Sequence, residues 1–224
     1  IQKGAKMIVV EKEVEYKEGI TYIQVTDSRY ALALLSCAFF NHPSRQMTVI
    51  GLTGTKGKTT TSYMVQSILE KAHKKVGIIG TIGSIINGEF RETKNTTPES
   101  FELQKLMSEM VECGCEYCVM EVSSQGLMLN RVAGIDFDYG VFTNLSPDHI
   151  GPNEHTSFEH YMACKKKLFH MCKVGIFNRD DRHYMNMVDG VTCQIQTYSI
   201  CNAFSEKPIL LRSIFFSCLN SEID

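Results

Sequence analysis

The stretch Thr48-Val49-Ile50-Gly51-Leu52-Thr53-Gly54-Thr55-Lys56-Gly57-Lys58-Thr59-Thr60 runs an apolar segment straight into a loop built of glycine, lysine and threonine. Beyond it Met64, Val65, Ile68, Leu69 and Ala72 recur at helical spacing. Strand, glycine loop and helix in that order make a phosphate cradle. The glycines let backbone N–H groups approach an anion, the helix turns its positive end toward the same point, Lys58 adds a full charge, and Thr59 offers a hydroxyl to magnesium. The common G-x-x-x-x-G-K-[ST] spacing would put a glycine at position 52, where this chain has Leu52, so the loop is of a shorter kind. An ordinary surface turn would explain the glycines but not the flanking strand and helix.

Working outward, Val76-Gly77-Ile78-Ile79-Gly80 reads as a buried strand and completes a β-α-β unit. Asn87-Gly88 between Ile85-Ile86 and Glu89-Phe90 signals a tight hairpin, and Pro98 suits the first turn of a helix carrying Leu103, Leu106, Met107, Met110 and Val111 that stops near Gly114. Strand-like runs follow at 117–122, 139–145 and 174–178, with an amphipathic stretch at 158–171 before the last. Upstream, residues 7–10 form a short strand. Asp27 caps a helix with apolar positions Ala31, Leu34, Leu35, Ala38 and Phe39, which ends at His42-Pro43-Ser44. The alternation predicts a mostly parallel sheet, and such sheets gather ligands at the carboxyl ends of their strands. The polar residues at those ends are Thr53, Glu121, Ser123, Asn144 and His149. Beyond Ile200 the pattern blurs, and residues 201–224 take no assignment.

The 224 residues are 43% hydrophobic and 21% charged with a net charge of −2, and no apolar run is long enough to cross a bilayer. The balance lacks the cationic excess that would neutralise a nucleic-acid backbone, so the expected anion is a small one. Nine cysteines without a secretory signal point to reduced thiols in a cytosol. Cys113, Cys115 and Cys118 lie close in sequence, but no second pair completes a zinc pattern, and packing in a strand accounts for them.

Five linked segments resemble the Mur ligase family, ATP-dependent enzymes that add an amino acid to a growing peptidoglycan precursor. They are the GTKGKTT loop, Asn95-Thr96-Thr97-Pro98, Met120-Glu121-Val122-Ser123-Ser124, Phe142-Thr143-Asn144-Leu145-Ser146-Pro147-Asp148-His149 and Tyr161-Met162-Ala163-Cys164-Lys165, in the family's order. Asn95-Thr96-Thr97 and the segment 121–131 look most like members acting on UDP-N-acetylmuramoyl-L-alanyl-D-glutamate, and 148–155 resembles the lysine-adding members more than the diaminopimelate-adding ones. The implied fold is α/β: a P-loop-containing, mostly parallel sheet flanked by helices, with a remnant of an N-terminal α/β domain. Residues 1–46 would be that acceptor-binding remnant, 47–200 the ATP-binding central domain, and 201–224 a divergent or truncated tail.

The resemblance implies that the acceptor carboxylate takes the ATP γ-phosphoryl group, and that the incoming amine displaces phosphate from the acyl phosphate. Gly54, Thr55, Lys56, Gly57, Lys58, Thr59, Thr60 and Asn144 would bind ATP. Thr59 and Glu121 would hold magnesium, and His149 and Lys165 a second ion, the lysine as its carbamate because an ammonium cannot ligate a cation. Lys58, His149 and Lys165 are the expected catalytic residues; Asn95, Thr96, Thr97, Ser123 and Arg131 would take the acceptor. Leu129 stands where the family often has glutamine. Expected partners are the UDP-muramoyl dipeptide and a free amino acid, with no nucleic acid and no membrane, for a cytoplasmic monomer.

Each of these residues has a plainer role open to it. Glu121 alone could be a strand-end carboxylate paired with a lysine, and the phosphate loop beside it favours the metal. His149 could cap a helix or bond a carbonyl. Lys165 sits in a run of three lysines that would ordinarily be a solvated face, and the register of Tyr161-x-Ala163-x-Lys165 selects it, leaving Lys166 and Lys167 on the surface. Thr96-Thr97-Pro98 could simply cap a helix. Two other functions stay open: a related ligase such as folylpolyglutamate synthase, and a non-catalytic ATP-binding fragment.

Overall fold

The computed structural model describes residues 1, 4–152 and 154–200; the segment 201–224 lies outside them. Ten strands and six α-helices are found among these residues. Strands β1 (Met7–Val10) and β2 (Thr21–Gln24) pair in parallel as a separate two-stranded sheet and lead into helix α1 (Ser28–Phe39). The phosphate-loop unit is β3 (Thr48–Thr53) and α2 (Lys58–Lys71), followed by β4 (Val76–Gly80), β5 (Gly83–Ile86) and β6 (Glu89–Arg91). Then come α3 (Ser100–Glu112), β7 (Tyr117–Glu121), α4 (Ser124–Met128), β8 (Phe137–Phe142), α5 (Phe158–Lys166), β9 (Cys172–Asn178), α6 (Tyr184–Val188) and β10 (Gln194–Tyr198).

Eight of the strands form one sheet in the order β10-β9-β8-β3-β7-β4-β5-β6. All its pairings are parallel except β4 with β5 and β5 with β6. The order is the physical reason a site forms here. β3 lies between β7 and β8, so the loop after β3 meets the ends of strands that follow it much later in sequence.

Both faces of the central strands are covered, which is why these strands read as continuous apolar runs rather than as an alternation. Val49, Ile79, Cys118 and Met120 face a core completed by Leu103, Met107 and Met110 of α3, while Ile50, Leu52, Ile78 and Val119 face one completed by Leu69 of α2. Burying each such side chain contributes about 1.5–3 kcal/mol. Cys115 and Cys118 are packed in this core, as the sequence suggests. The Asn87-Gly88 turn has φ of 51° and 81°, the two positive values a two-residue hairpin requires, and pairs Ile86 with Glu89.

Several expectations shift. Asp27 does cap α1, accepting from Tyr30 N–H at 2.8 Å. The helix, however, buries Ala33, Ser36 and Cys37, and leaves Leu34, Leu35 and Phe39 exposed. Cys37 Sγ reaches Ala133 O and the backbone at Gly134, where an added Cβ would lie 2.9 Å from Cys37 Sγ and 2.9 Å from Leu34 Cδ2, and at the helix end Phe39 and Phe40 lie against Phe101 of α3. The third helix takes Glu99 as its N-cap, so Pro98 precedes the helix instead of entering its first turn. The run 139–145 forms a strand two residues earlier, over β8, because Phe137 packs into the core while Thr143 and Asn144 turn toward the phosphate loop. Of the three lysines at the end of α5, Lys165 is buried, Lys166 half-buried and Lys167 exposed.

Candidate functional site

The loop is shaped from below. Gly54 has φ of +152°, and a Cβ there would lie 2.0 Å from Thr143 Oγ1, so both backbone and space demand glycine. Asn144, at the end of β8, grips Lys56 from both sides: its Oδ1 accepts from Lys56 N–H and its Nδ2 donates to Lys56 O, each at 2.9 Å. Thr143 Oγ1 donates to the same carbonyl at 2.8 Å. Thr55 turns inward, its hydroxyl accepting from Ser146 N–H at 3.0 Å and lying 3.2 Å from Tyr161 Oη. Gly57, with φ of +83°, then starts α2 without a side-chain cap, so its first N–H groups point outward.

Two ammonium groups converge on one carbonyl. Lys58 Nζ and Lys165 Nζ each donate to Gly54 O at 2.9 Å. Burial is the main reason both are held below the usual lysine range; Lys165, 2% exposed, is brought to about 7, with Lys58 as a further cause. Lys165 also lies 4.5 Å from the centre of the Tyr161 ring. Glu121 and Asp148 act on Lys58, and Asp148 on Lys165, only through space; both ammonium groups donate to backbone carbonyls, which leaves room for an anion at the pair.

Glu121 closes β7 and is 1% exposed. Its Oε1 accepts from Thr59 Oγ1 at 2.9 Å and from Thr81 N–H at 3.0 Å, and its Oε2 from Thr81 Oγ1 at 3.1 Å. Thr81 Oγ1 is in turn 3.0 Å from Thr96 Oγ1. A hydrogen-bonded path thus runs from the phosphate loop through Glu121 and Thr81 to the Asn95-Thr96-Thr97 segment. Thr81 escaped the sequence reading, although its place just after a buried strand is the available signal.

A cavity of about 380 Å³ opens beside this path, lined among others by Lys58, Asn95, Thr96, Ser123, Arg131, His149 and Lys165. Thr97 stays out of it, fully buried, accepting from Ser123 N–H at 2.9 Å and lying 3.0 Å from Glu121 O. Ser123 caps α4 by accepting from Gly126 N–H at 3.0 Å. Arg131 donates to Thr97 O at 3.1 Å and pairs with Glu99 at 2.7 Å, while its Nε is buried without a partner among the described residues. His149 is exposed, its Nδ1 3.0 Å from Glu154 Oε1, a carboxylate the sequence reading passed over. Asp148 pairs with Lys56 at 3.2 Å, and that contact holds its carboxyl below the usual range.

The residues present fit a small hard cation on one side: Thr59 and Glu121 are oxygen donors already in contact at the start of a helix. On the other side His149 and Lys165 share the cavity, but the lysine would offer a hard cation the oxygen donor it prefers only with a carboxylate on its nitrogen.

Residues 52–212 match the model of the Mur ligase middle domain. A relative named UDP-N-acetylmuramoyl-L-alanyl-D-glutamate--2,6-diaminopimelate ligase, from Clostridium perfringens, is 46% identical over 205 residues, covering 89% of this chain and 42% of that protein. A solved structure of a ligase with the same name superposes with a TM-score of 0.74 at 26% identity, over 88% of this chain and 40% of that one. A Mycobacterium tuberculosis folylpolyglutamate synthase complexed with ADP shares the fold, with a TM-score of 0.59 at 15% identity over 77% of this chain and 47% of that one. The chain spans about two fifths of the length of the curated relative.

Proposed function

The chain belongs to the Mur ligase family, and from that premise we propose that it is the nucleotide-binding part of an ATP-dependent ligase that joins a diamino acid to UDP-N-acetylmuramoyl-L-alanyl-D-glutamate in peptidoglycan synthesis. The observation that carries this reading is the pair of ammonium groups on Gly54 O, set at the start of α2 beside the Thr59–Glu121 contact. A carboxylate is a poor electrophile at neutral pH, and phosphorylation makes it one that an amine can attack.

In this reading Lys58 and the N–H groups at the start of α2 stabilise the negative charge that gathers on the transferred phosphoryl group. Thr59 and Glu121 hold magnesium, which when bound neutralises charge on the phosphate oxygens. Gly54, Thr55, Lys56, Gly57 and Thr60 supply the loop around the phosphates, and Asn144 keeps that loop in shape. His149, oriented by Glu154, and Lys165 as its carbamate hold a second ion. The low proton affinity of Lys165 favours the carbamate, because only a neutral amine adds carbon dioxide.

Arg131, Asn95, Thr96 and Ser123 receive the acceptor; the unpartnered Nε of Arg131 suits one of its carboxylates. Thr97 positions Ser123. The Clostridium perfringens relative's name puts diaminopimelate ahead of the lysine that the 148–155 segment suggests. Residues 1–46 would belong to the acceptor-binding part and 47–200 to the ATP-binding domain, in a cytoplasmic monomer.

The test is ADP release by the 224-residue chain with ATP, magnesium and the UDP-muramoyl dipeptide, adding lysine or diaminopimelate in turn. Release that needs acceptor and amino acid, and disappears in Lys58→Ala, supports the ligase. Nucleotide binding without acceptor-dependent release assigns the chain to a binding module, and release stimulated only by a pteroyl glutamate acceptor assigns it to the folate branch.

A further inference from the structure

Beside the loop that carries His149, three side chains with no part in the proposed ligase chemistry come together. His155, from the bend before α5, and His160 and Cys164 of α5 each place a ligand atom within 4.8 Å of the others. The four-residue spacing sets His160 and Cys164 on one face of the helix. Ser157, which caps the helix and accepts from His160 N–H at 3.1 Å, turns the chain so that the His155 ring lies 5.1 Å from that of His160.

The burial is unusual for groups of this chemistry. His155 is 1% exposed and Cys164 2%. His155 Nε2 is 2.9 Å from Ser124 Oγ, whereas its Nδ1 is buried with no hydrogen-bond partner among the described residues. Leaving a buried polar atom unpaired costs about 1–3 kcal/mol, which a ligand on that nitrogen would recover. His160 is half-buried, with Nδ1 3.3 Å from Thr156 Oγ1, and gives the cluster a way out to solvent.

We infer that His155, His160 and Cys164 form a binding site for a borderline-soft divalent cation of the zinc class, with a fourth position left for water. Two imidazoles and a thiolate are the donor set such ions take, while magnesium takes oxygens. Zinc bond lengths of about 2.0–2.3 Å imply tetrahedral ligand separations of about 3.4–3.6 Å, so atoms now within 4.8 Å of one another must draw in by as much as about 1.4 Å when the ion binds. Ser124 Oγ stands on His155 Nε2 and leaves Nδ1 for the ion, whereas His160 Nδ1 accepts from Thr156 N–H at 3.4 Å, so that ring must shift its proton from Nε2 to Nδ1, toward Thr156 Oγ1, before Nε2 ligates. Binding exchanges the thiol proton of Cys164 for the cation. The ion would tie the loop bearing His149 and Glu154 to the helix bearing Lys165. The inference does not rest on the ligase reading, although His155 and Ser124 also line the cavity described above.

The experiment titrates the 224-residue chain with Co²⁺ in excess magnesium, reads the thiolate-to-cobalt charge-transfer band, and then displaces the ion with Zn²⁺. One equivalent with a thiolate band is expected. Cys164→Ser should abolish the band and weaken Zn²⁺ binding by more than about 100-fold, beyond the loss typical of removing an outer partner. His160→Ala, at a half-buried position, should weaken binding similarly, and Cys113→Ser should change nothing. If circular dichroism shows Cys164→Ser to be unfolded, His160→Ala carries the test. Absence of a thiolate band in the wild-type chain overturns the inference, as does a band that survives in folded Cys164→Ser or in His160→Ala, or one lost in Cys113→Ser.

Discussion

Alanine at position 80 tests how far the site depends on one missing methyl group. Gly80 ends β4 directly against Glu121, and a Cβ there would lie 2.4 Å from Oε1, 3.0 Å from Cδ and 3.1 Å from Cγ. The glycine does not have positive φ, so alanine brings no backbone strain and the effect is one of space alone. The carboxylate is 1% exposed and accepts three hydrogen bonds, from Thr59 Oγ1, Thr81 N–H and Thr81 Oγ1. Hydrogen bonds to a charged group contribute about 1.5–3 kcal/mol each. Displacing Oε1 removes one or two of them with partial relaxation, so we expect Gly80→Ala to destabilise the chain by about 2–4 kcal/mol. For a chain of this size that lowers the thermal midpoint by about 5–15 °C. Glu121→Gln keeps the volume and lets both threonine hydroxyls rotate, so its stability should change by about 1 kcal/mol or less. Both variants should lose the magnesium-dependent part of nucleotide affinity, measured by calorimetry with and without the ion. A Gly80→Ala chain that melts with the wild type, or keeps magnesium-dependent binding, would refute the reasoning.

Three further outcomes follow from the same geometry. Lys165 is held at about 7 in the fold against an ordinary 10.5, so the unfolded chain carries more protons between those values and stability rises with pH across that window. In carbon-dioxide-free buffer Lys165→Met should flatten that rise in denaturant titrations, with its gain over wild type largest below pH 7. Asn144→Ala removes both bonds to the Lys56 backbone and should weaken nucleotide binding by about 10-fold or more, at about 1 kcal/mol per bond, seen by calorimetry. Asp27→Ala loses the cap on Tyr30 N–H and the 2.8 Å bond from Asn130 Nδ2, and should cost about 1–2 kcal/mol in urea unfolding, whereas Asp27→Ser should recover the cap's share.

The central strands, the Asn87-Gly88 hairpin and the phosphate loop were legible because each rests on a local rule: a buried apolar run, a turn that needs positive φ, a strand-loop-helix order. What escaped depends on tertiary partners. The first helix offers two faces, one rich in leucine and phenylalanine and one built of Ala33, Ser36 and Cys37, and the smaller one turns inward against partners such as Ala133, 96 residues beyond Cys37, which no local pattern reveals. Strand β10 went unnoticed because Gln194-Ile195-Gln196-Thr197-Tyr198 lies at a sheet edge, pairs on one side and buries little apolar surface. In the site, position at strand ends pointed to Glu121 and Asn144. No spacing rule could reveal that Lys58 and Lys165, far apart in the chain, share one carbonyl, or that Thr81 and Glu154 steady groups beside it.

The strand order also bears on how the molecule comes into being. β3 is made early, yet its neighbours β7 and β8 close only at residues 121 and 142. On the ribosome β3 therefore stays unpaired until β7 has been made, and the phosphate loop waits longer still for Asn144 to grip Lys56. Non-local pairing of this kind slows folding and prolongs the exposure of a sticky segment to other nascent chains. The shaping of the loop is thus a late event in the life of the nascent chain, and a translation product stopped before that asparagine would carry the whole glycine loop without the clamp that shapes it.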